Sequence, residues 1–196
     1  MIRSVFRIIG GMALALVTTL DSPPALAAEV ERYLITKTVV AISIAGEIVE
    51  GDAEALRSAM KSVTEAGYSI AELRLNSIGG SLFEGANIVR LVRAANLNTS
   101  VALGATCASV CFLAFAAGSN KLIDLAARVG VHVASDESGE ETPASIAATA
   151  AMARIAQRLH VPPEIIESMV STPPSQMFWL ARSDLESMGA IITDRS

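Results

Sequence analysis

The stretch Asn76-Ser77-Ile78-Gly79-Gly80 decides the fold, because it separates a strand-like segment from a helix-like one. Residues 70–75 alternate in polarity as a half-buried strand does, and residues 82–94 carry apolar side chains at helical spacing. Glycine has no Cβ, so the backbone at Gly79 and Gly80 can turn sharply and aim its N–H groups at a ligand. A Gly-Gly pair is also typical of an ordinary tight turn. The stretch predicts a strand, a turn and a helix in that order.

The same alternation of strand and helix continues on both sides of this turn. Strands are predicted at residues 39–44, 70–75, 99–103 and 129–133, and helices at 53–66, 82–94 and 109–118, with further helices behind them. More than half of the residues are apolar and 18% are charged, so the chain can bury one sizeable core. The prediction is a single α/β domain, with a mostly parallel sheet and flanking helices.

Ser109 begins an almost wholly small and apolar segment, residues 108–118. Two interpretations of this serine remain open. Its hydroxyl is suited to cap a buried helix by accepting a backbone N–H. The same position also suits a nucleophile, because the N–H of Val110 at the helix start could help stabilise an oxyanion.

A serine nucleophile needs a neighbouring base near neutral pH, and the chain holds only two histidines. His160 follows a helix-like run, residues 146–159, and precedes two prolines, which is typical of an ordinary helix-end group. His132 ends the apolar run of residues 128–131, which reads as a short buried strand. Strand ends next to loops often present catalytic side chains, so His132 is the better candidate.

The order and spacing of these segments resemble the Clp protease proteolytic subunit and, more broadly, the ClpP/crotonase superfamily, over residues 39–192. Residues 44–48 look like the first core strand and its turn. Residues 76–80 are similar to the family's Asn-Ser-Pro-Gly-Gly, with Ile78 in place of the proline. Residues 108–110 are similar to the nucleophile segment, and Val131-His132 to the strand that ends in the catalytic histidine.

The resemblance implies a hydrolase that cleaves peptide bonds by acyl-enzyme chemistry and needs no cofactor. It makes Ser109 the nucleophile, His132 the general base, and the N–H groups of Gly79 and Val110 the oxyanion hole. It also implies a homo-oligomer that acts on peptides or unfolded proteins. The ATP-driven unfoldase that often serves this family is not expected here, because the N-terminus, described below, predicts export to a compartment without an ATP supply.

One departure from the family pattern concerns the aspartate that should orient the histidine. Residues 169–176 occupy that place and contain no carboxylate. The hydroxyls of Ser171, Thr172 and Ser175 are the remaining candidates to orient His132, although an uncharged oxygen stabilises an imidazolium less. Two alternatives stay open. One is a non-catalytic binding or assembly module on the same fold, which the missing aspartate favours, and the other is a crotonase-like acyl-thioester enzyme, whose oxyanion turn is related.

The N-terminus predicts export. Arg3 and Arg7 precede an apolar run, residues 8–20, and Ala25-Leu26-Ala27 supplies the small residues favoured before a signal peptidase cut. Residues 1–27 are thus a predicted signal peptide, and residues 28–196 a mature serine-hydrolase domain in the periplasm or outside the cell. The alternative is an uncleaved anchor in the inner membrane, although the run is shorter than the ~20 residues that span a bilayer. A coenzyme A substrate is disfavoured by export.

Cys107 and Cys111 are the only cysteines and bracket Ser109. An oxidising compartment permits a disulfide between them, and two buried thiols are the alternative. The chain shows no zinc-ligand spacing, so we expect no metal. A net charge of -5 without a basic run argues against nucleic acid as a partner.

Overall fold

The structure is a computed structural model that describes residues 28–193. Nine strands and six helices lie in this range. The strands are β1 (Glu29–Leu34), β2 (Val39–Ala45), β3 (Ser69–Asn76), β4 (Asn98–Val101), β5 (Thr106–Ala108), β6 (Lys121–Asp124), β7 (Arg128–Val131), β8 (Phe178–Trp179) and β9 (Ala190–Thr193). The helices are α1 (Asp52–Glu65), α2 (Leu82–Ala94), α3 (Val110–Ala116), α4 (Pro143–Arg158), α5 (Pro163–Ser171) and α6 (Arg182–Ser187).

Six strands form the main sheet in the order β1-β2-β3-β4-β6-β9. Every neighbouring pair is parallel except β1 and β2, which form an antiparallel hairpin. Helices follow most of the parallel strands, as crossover connections require. The predicted α/β fold with a mostly parallel sheet and flanking helices is confirmed.

A second, three-stranded sheet in the order β5-β7-β8 was not predicted. Strand β7 leads to His132 and pairs with β5 rather than with the main sheet. A bridge between Ser77 and Cys107 connects β5 to the end of β3. Strands β5 and β8 have only three and two residues, which is too short for polarity to show a period.

Helix α3 lies at the centre of the core. All seven of its residues are buried, and Phe112 and Phe115 are among the largest side chains that are fully enclosed. A helix that is apolar on every face is stable only when other elements surround it. The burial of α3 therefore fixes the position of its first turn, where Ser109 and Val110 lie.

The predicted signal peptide, residues 1–27, lies outside the described residues. Within residues 28–193, no helix has both the length and the apolar character that crossing a membrane would require.

Candidate active site

Ser109 occupies the single position between β5 and α3. Its backbone has φ 56° and ψ -125°, a conformation that non-glycine residues rarely adopt. Its N–H donates to the carbonyl of Gly130 at 3.0 Å, which fastens the turn to β7. Its hydroxyl forms no capping bond with the helix. The capping interpretation is therefore not what the structure shows, and the strained strand-to-helix turn resembles the geometry that presents a serine nucleophile.

The glycine turn packs directly against Ser109. A Cβ added to Gly79 would lie 2.7 Å from the Cβ of Ser109, and Gly79 has φ +109°. Both facts require glycine at this position. The turn is tied down because Ile48 N–H donates to the Gly79 carbonyl at 2.7 Å, and Ser81 N–H donates to the Ile48 carbonyl at 2.7 Å.

One cleft of about 640 Å³ brings the predicted site residues together. Its lining includes Ser109, His132, Gly79 and Val110. They come from three separate segments of the chain, so only the folded molecule brings all of them together. The carboxylate side chains that line the cleft are Glu47, Glu50, Asp136 and Glu137, and no lysine or arginine lies among the described lining residues.

The two predicted oxyanion donors differ in whether the structure already gives their N–H group a hydrogen-bond acceptor. Val110 begins α3, so its N–H has no carbonyl within the helix to bond. The N–H of Gly79 instead donates to the buried hydroxyl oxygen of Ser77 at 3.1 Å. An oxyanion at Gly79 would have to share or displace this neutral acceptor.

His132 follows β7 and is half-buried. Burial lowers the pKa of its imidazole from the ordinary value of 6.5, and the backbone carbonyl of Pro174 opposes this shift. The ring is therefore neutral at pH 7, as a general base must be. Its Nδ1 is buried and completes no hydrogen bond within residues 28–193. No hydrogen bond joins His132 to Ser109 in the same residues, an arrangement common in sites without substrate.

The three hydroxyls predicted to orient His132 form no hydrogen bond with it in the described part of the chain. Ser171 donates to the Glu167 carbonyl at 2.7 Å, and Thr172 donates to the Ser168 carbonyl at 2.6 Å. Both bonds close the last turn of α5.

The group that acts on the imidazole is instead the backbone carbonyl of Pro174, in the same loop. It influences the charge of the ring without completing a hydrogen bond to Nδ1. The nearby Thr172 carbonyl accepts from Val133 N–H at 3.0 Å, which holds the loop beside His132. Sequence reasoning missed Pro174 because it considered only polar side chains. The Pro173-Pro174 pair was the available signal, since two fixed φ angles set the direction of a carbonyl.

Cys107 and Cys111 are joined by a disulfide with a Cα–Cα distance of 5.2 Å. The bond connects β5 to the first turn of α3 across Ser109, and both side chains are fully buried. The sequence left a disulfide and two buried thiols as alternatives, and the structure has the disulfide.

His160 lies far along the chain from these groups and is exposed after the end of α4. Its φ of 58° is the left-handed conformation that ends many helices. It does not line the cleft. In residues 28–193, no group of three or more potential metal ligands occurs.

Neither protein-family models nor curated protein sequences give a match to this chain. Solved structures do match in fold. The structure of ClpP1 from Listeria monocytogenes superposes with a TM-score of 0.61 at 17% identity, covering 80% of this chain and 92% of that one. The ClpP protease catalytic domain from Plasmodium falciparum gives a TM-score of 0.56 at 18% identity, over 75% and 82% of the two chains.

A third similar structure is that of the 1510-N membrane-bound stomatin-specific protease, in a serine-to-alanine mutant form. It has a TM-score of 0.60 and 17% identity, and the match covers 81% of this chain and 79% of that chain. At such low identity these likenesses establish the fold and leave the chemistry to the site itself. On these likenesses, this chain has the ClpP-like fold.

Proposed function

We propose that this chain is an exported serine-type peptidase that cleaves peptide bonds through an acyl-enzyme at Ser109. The observation that carries the proposal is the strained turn at Ser109, whose hydroxyl makes no capping bond and lines the same cleft as His132. Strain of this kind costs roughly 1–3 kcal/mol and is concentrated at functional sites. A serine that only capped a helix would not need it.

In the proposed reaction, Ser109 Oγ attacks the carbonyl carbon of the scissile bond and its proton passes to Nε2 of His132. The carbonyl oxygen becomes an oxyanion, which accepts from the N–H of Val110 and, after Ser77 is displaced, from that of Gly79. Collapse breaks the C–N bond, and His132 returns the proton to the leaving amine. Water then hydrolyses the acyl-enzyme with His132 again as base.

The third group in this mechanism is the Pro174 carbonyl. In this proposal the Pro174 carbonyl comes to accept from Nδ1 when the cleft binds substrate, which fixes the tautomer that leaves Nε2 free to accept from Ser109. It carries no full charge, so it stabilises the imidazolium less than an aspartate would. The expected enzyme is slow compared with a complete triad.

A non-catalytic binding or assembly module is the second candidate function. It is favoured by the buried Nδ1 of His132, which completes no hydrogen bond in the described part of the chain, and by the engagement of Gly79 N–H with Ser77. Both features describe a cleft that would have to rearrange before it could stabilise an oxyanion.

The partners follow from the same proposal. One matched structure, a lysine-to-alanine mutant of the stomatin-specific protease, is described as a complex with a substrate peptide. We assign a peptide or an unfolded protein segment to the cleft here, in a homo-oligomer outside the cytoplasm.

The deciding experiment is labelling with a fluorophosphonate probe, which reacts with activated serines. Wild-type protein and the Ser109→Ala variant should have the same circular dichroism, and only the wild type should be labelled. Peptide hydrolysis should be lost in the same variant. Absence of labelling under both oxidising and reducing conditions would favour the binding module.

A further inference from the structure

Two carboxylates are buried beside the cleft without a basic partner. Asp52 begins α1 and is 4% exposed, and Glu84 lies in the first turn of α2 and is 5% exposed. None of the ion pairs within residues 28–193 includes either of them. Burying two carboxylates together is costly unless hydrogen bonds and a cation compensate.

Backbone N–H groups supply part of this compensation. Val49 N–H donates to Asp52 Oδ2 at 2.7 Å, and Ala53 N–H donates to Glu84 Oε2 at 2.9 Å. The backbone N–H of Ala28 also acts on the Asp52 carboxylate and lowers its pKa. Both carboxylates also lie in the first turn of a helix, where the partial positive charge of the helix N-terminus stabilises them. Within residues 28–193 neither forms an ion pair with a full positive charge.

The pKa of Asp52 reflects this deficit. Burial raises it first, the N–H groups of Val49 and Ala28 oppose the shift, and the charge of Glu84 raises it further. A positive charge at this place would remove the conflict.

The nitrogen of Ala28 is in position to become that charge. Ala28 is 8% exposed, packs within the core, and immediately follows the predicted signal peptide. Hydrolysis of the Ala27-Ala28 bond by a signal peptidase adds one water, leaving a carboxylate on Ala27 and an α-ammonium group on Ala28. The new group has three N–H donors and a full charge at a nitrogen that already acts on the Asp52 carboxylate.

We infer that Asp52 and Glu84 form a binding site for the α-ammonium group of the processed chain, with Asp52 acting as a positioning residue for the cleft. The inference rests on the proposed export and, for its catalytic consequence, on the proposed peptidase function. It makes removal of the signal peptide a step in the maturation of the site.

The connection from Asp52 to the oxyanion turn is short. Asp52 holds the N–H of Val49, and the preceding Ile48 bonds the glycine turn through Gly79 and Ser81. A Cβ added to Gly80 would lie only 2.2 Å from the Ile48 carbonyl oxygen, so this segment packs against the turn with no free space. A displaced Asp52 would therefore disturb the backbone that aims the Gly79 N–H.

The test uses the full chain, exported and processed in a bacterial host. Wild type is compared with a variant that carries Ser-Gly inserted between Ala27 and Ala28. The insertion keeps the Ala28 N–H as an amide but moves the charge by roughly 7 Å of extended chain. Both forms are also made with Asp52→Asn, and mass spectrometry identifies each mature N-terminus.

We expect wild type to begin at Ala28 and the insertion to lower its melting temperature by roughly 5–15 °C, as loss of a buried ion pair does. In protein that carries Asp52→Asn, the insertion should lower the melting temperature by less than about a third as much, since the carboxylate that pairs with the ammonium group is already gone. The rate of fluorophosphonate labelling should fall roughly fivefold or more in the insertion variant. If Asp52→Asn does not fold, Glu84→Gln takes its place in the comparison.

An equal loss of melting temperature in both backgrounds, no loss in either, or a mature N-terminus other than Ala28 would overturn the inference. Melting temperatures do not depend on catalysis. A chain that is never labelled but shows the expected coupling would therefore refute the peptidase proposal and support the ammonium site.

Discussion

At Ser109 the backbone holds a conformation that several neighbours must enforce together. The buried helix α3 anchors one side, the bond to the Gly130 carbonyl anchors the other, and Gly79 leaves no room for the turn to relax. Strained residues persist only where the surroundings over-determine them. The consequences for chemistry are therefore best tested at single positions around this serine.

Gly79→Ala should abolish fluorophosphonate labelling, because its Cβ would lie 2.7 Å from the Cβ of Ser109. Gly104→Ala is the matched control: Gly104 also has positive φ, +71°, but nothing lies within 4 Å of its added Cβ. In denaturant unfolding both variants should lose roughly 1 kcal/mol of stability from the backbone conformation. Gly79→Ala should lose more than Gly104→Ala, because its added Cβ also clashes with Ser109. Normal labelling of Gly79→Ala would mean that the turn does not position the nucleophile.

His132→Ala should slow labelling of Ser109 by roughly 10²- to 10⁴-fold, the usual contribution of a general base. His160→Ala should label at the wild-type rate, since His160 is exposed and lies outside the cleft. Rates of probe incorporation measure both. The opposite ranking would show that the wrong histidine had been assigned.

The pH dependence follows from the lowered pKa of His132. Labelling requires the neutral imidazole, so its rate should rise with pH to a plateau, with a midpoint below 6.5. Folding stability should also rise with pH. A folded pKa below the unfolded value contributes stability that is present above about pH 6.5 and is lost as pH falls through the folded pKa. A labelling midpoint above 6.5 would contradict the burial argument.

At the scale of elements, the junction of β5 and α3 carries the site. The disulfide joins the strand to the first turn of the helix, and α2 packs against the same turn through Gly85, where an added Cβ would lie 2.2 Å from Val110 Cγ2. The junction is thus held from two sides. Its rigidity keeps the Val110 N–H aimed at the cleft.

Removing the disulfide with Cys107→Ala and Cys111→Ala together should lower the free energy of unfolding by about 2 kcal/mol, the chain-entropy estimate for so short a loop. Labelling of Ser109 should slow in the same variant. Reductant should destabilise the wild type and leave the double variant unchanged, which separates the bond from other effects of reductant. Two free thiols in the unreduced mature protein would contradict the bond.

At the scale of the whole molecule, apolar side chains remain exposed on the outer face of α4 and α5. Ile146 is 59% exposed and Val170 is 42% exposed, and both line one groove. In the proposed homo-oligomer we expect this groove to be covered by a second copy of the chain, since apolar surface gathered in one place favours association.

Sedimentation should therefore give a mass that is a multiple of the mature chain. Ile146→Glu should shift the protein towards monomer, because burying a charge in an interface is unfavourable. Leu103→Glu is the control, since Leu103 is 62% exposed and lines a different surface. A monomeric wild type would exclude the homo-oligomer.

The order of strands and helices was readable from the sequence because polarity with a period of two or 3.6 records which face of each element is buried. Helix α2 was predicted with its observed bounds, and the bounds of β2, β3 and α1 differ from the predicted ones by at most one residue at either end. The glycine turn and the apolar segment after Ser109 likewise gave a local signal for a ligand-facing turn.

Only the tertiary structure decided which residues of these segments contact one another. The pairing of β7 with β5, the place of the Pro174 carbonyl beside His132, the engagement of Gly79 N–H by Ser77 and the meeting of Ala28 with Asp52 all depend on the path of the chain. Most of these contacts join residues far apart in sequence, where no periodic pattern records the neighbour. Local polarity determined the elements, and packing of α3 at the centre of the core determined the site.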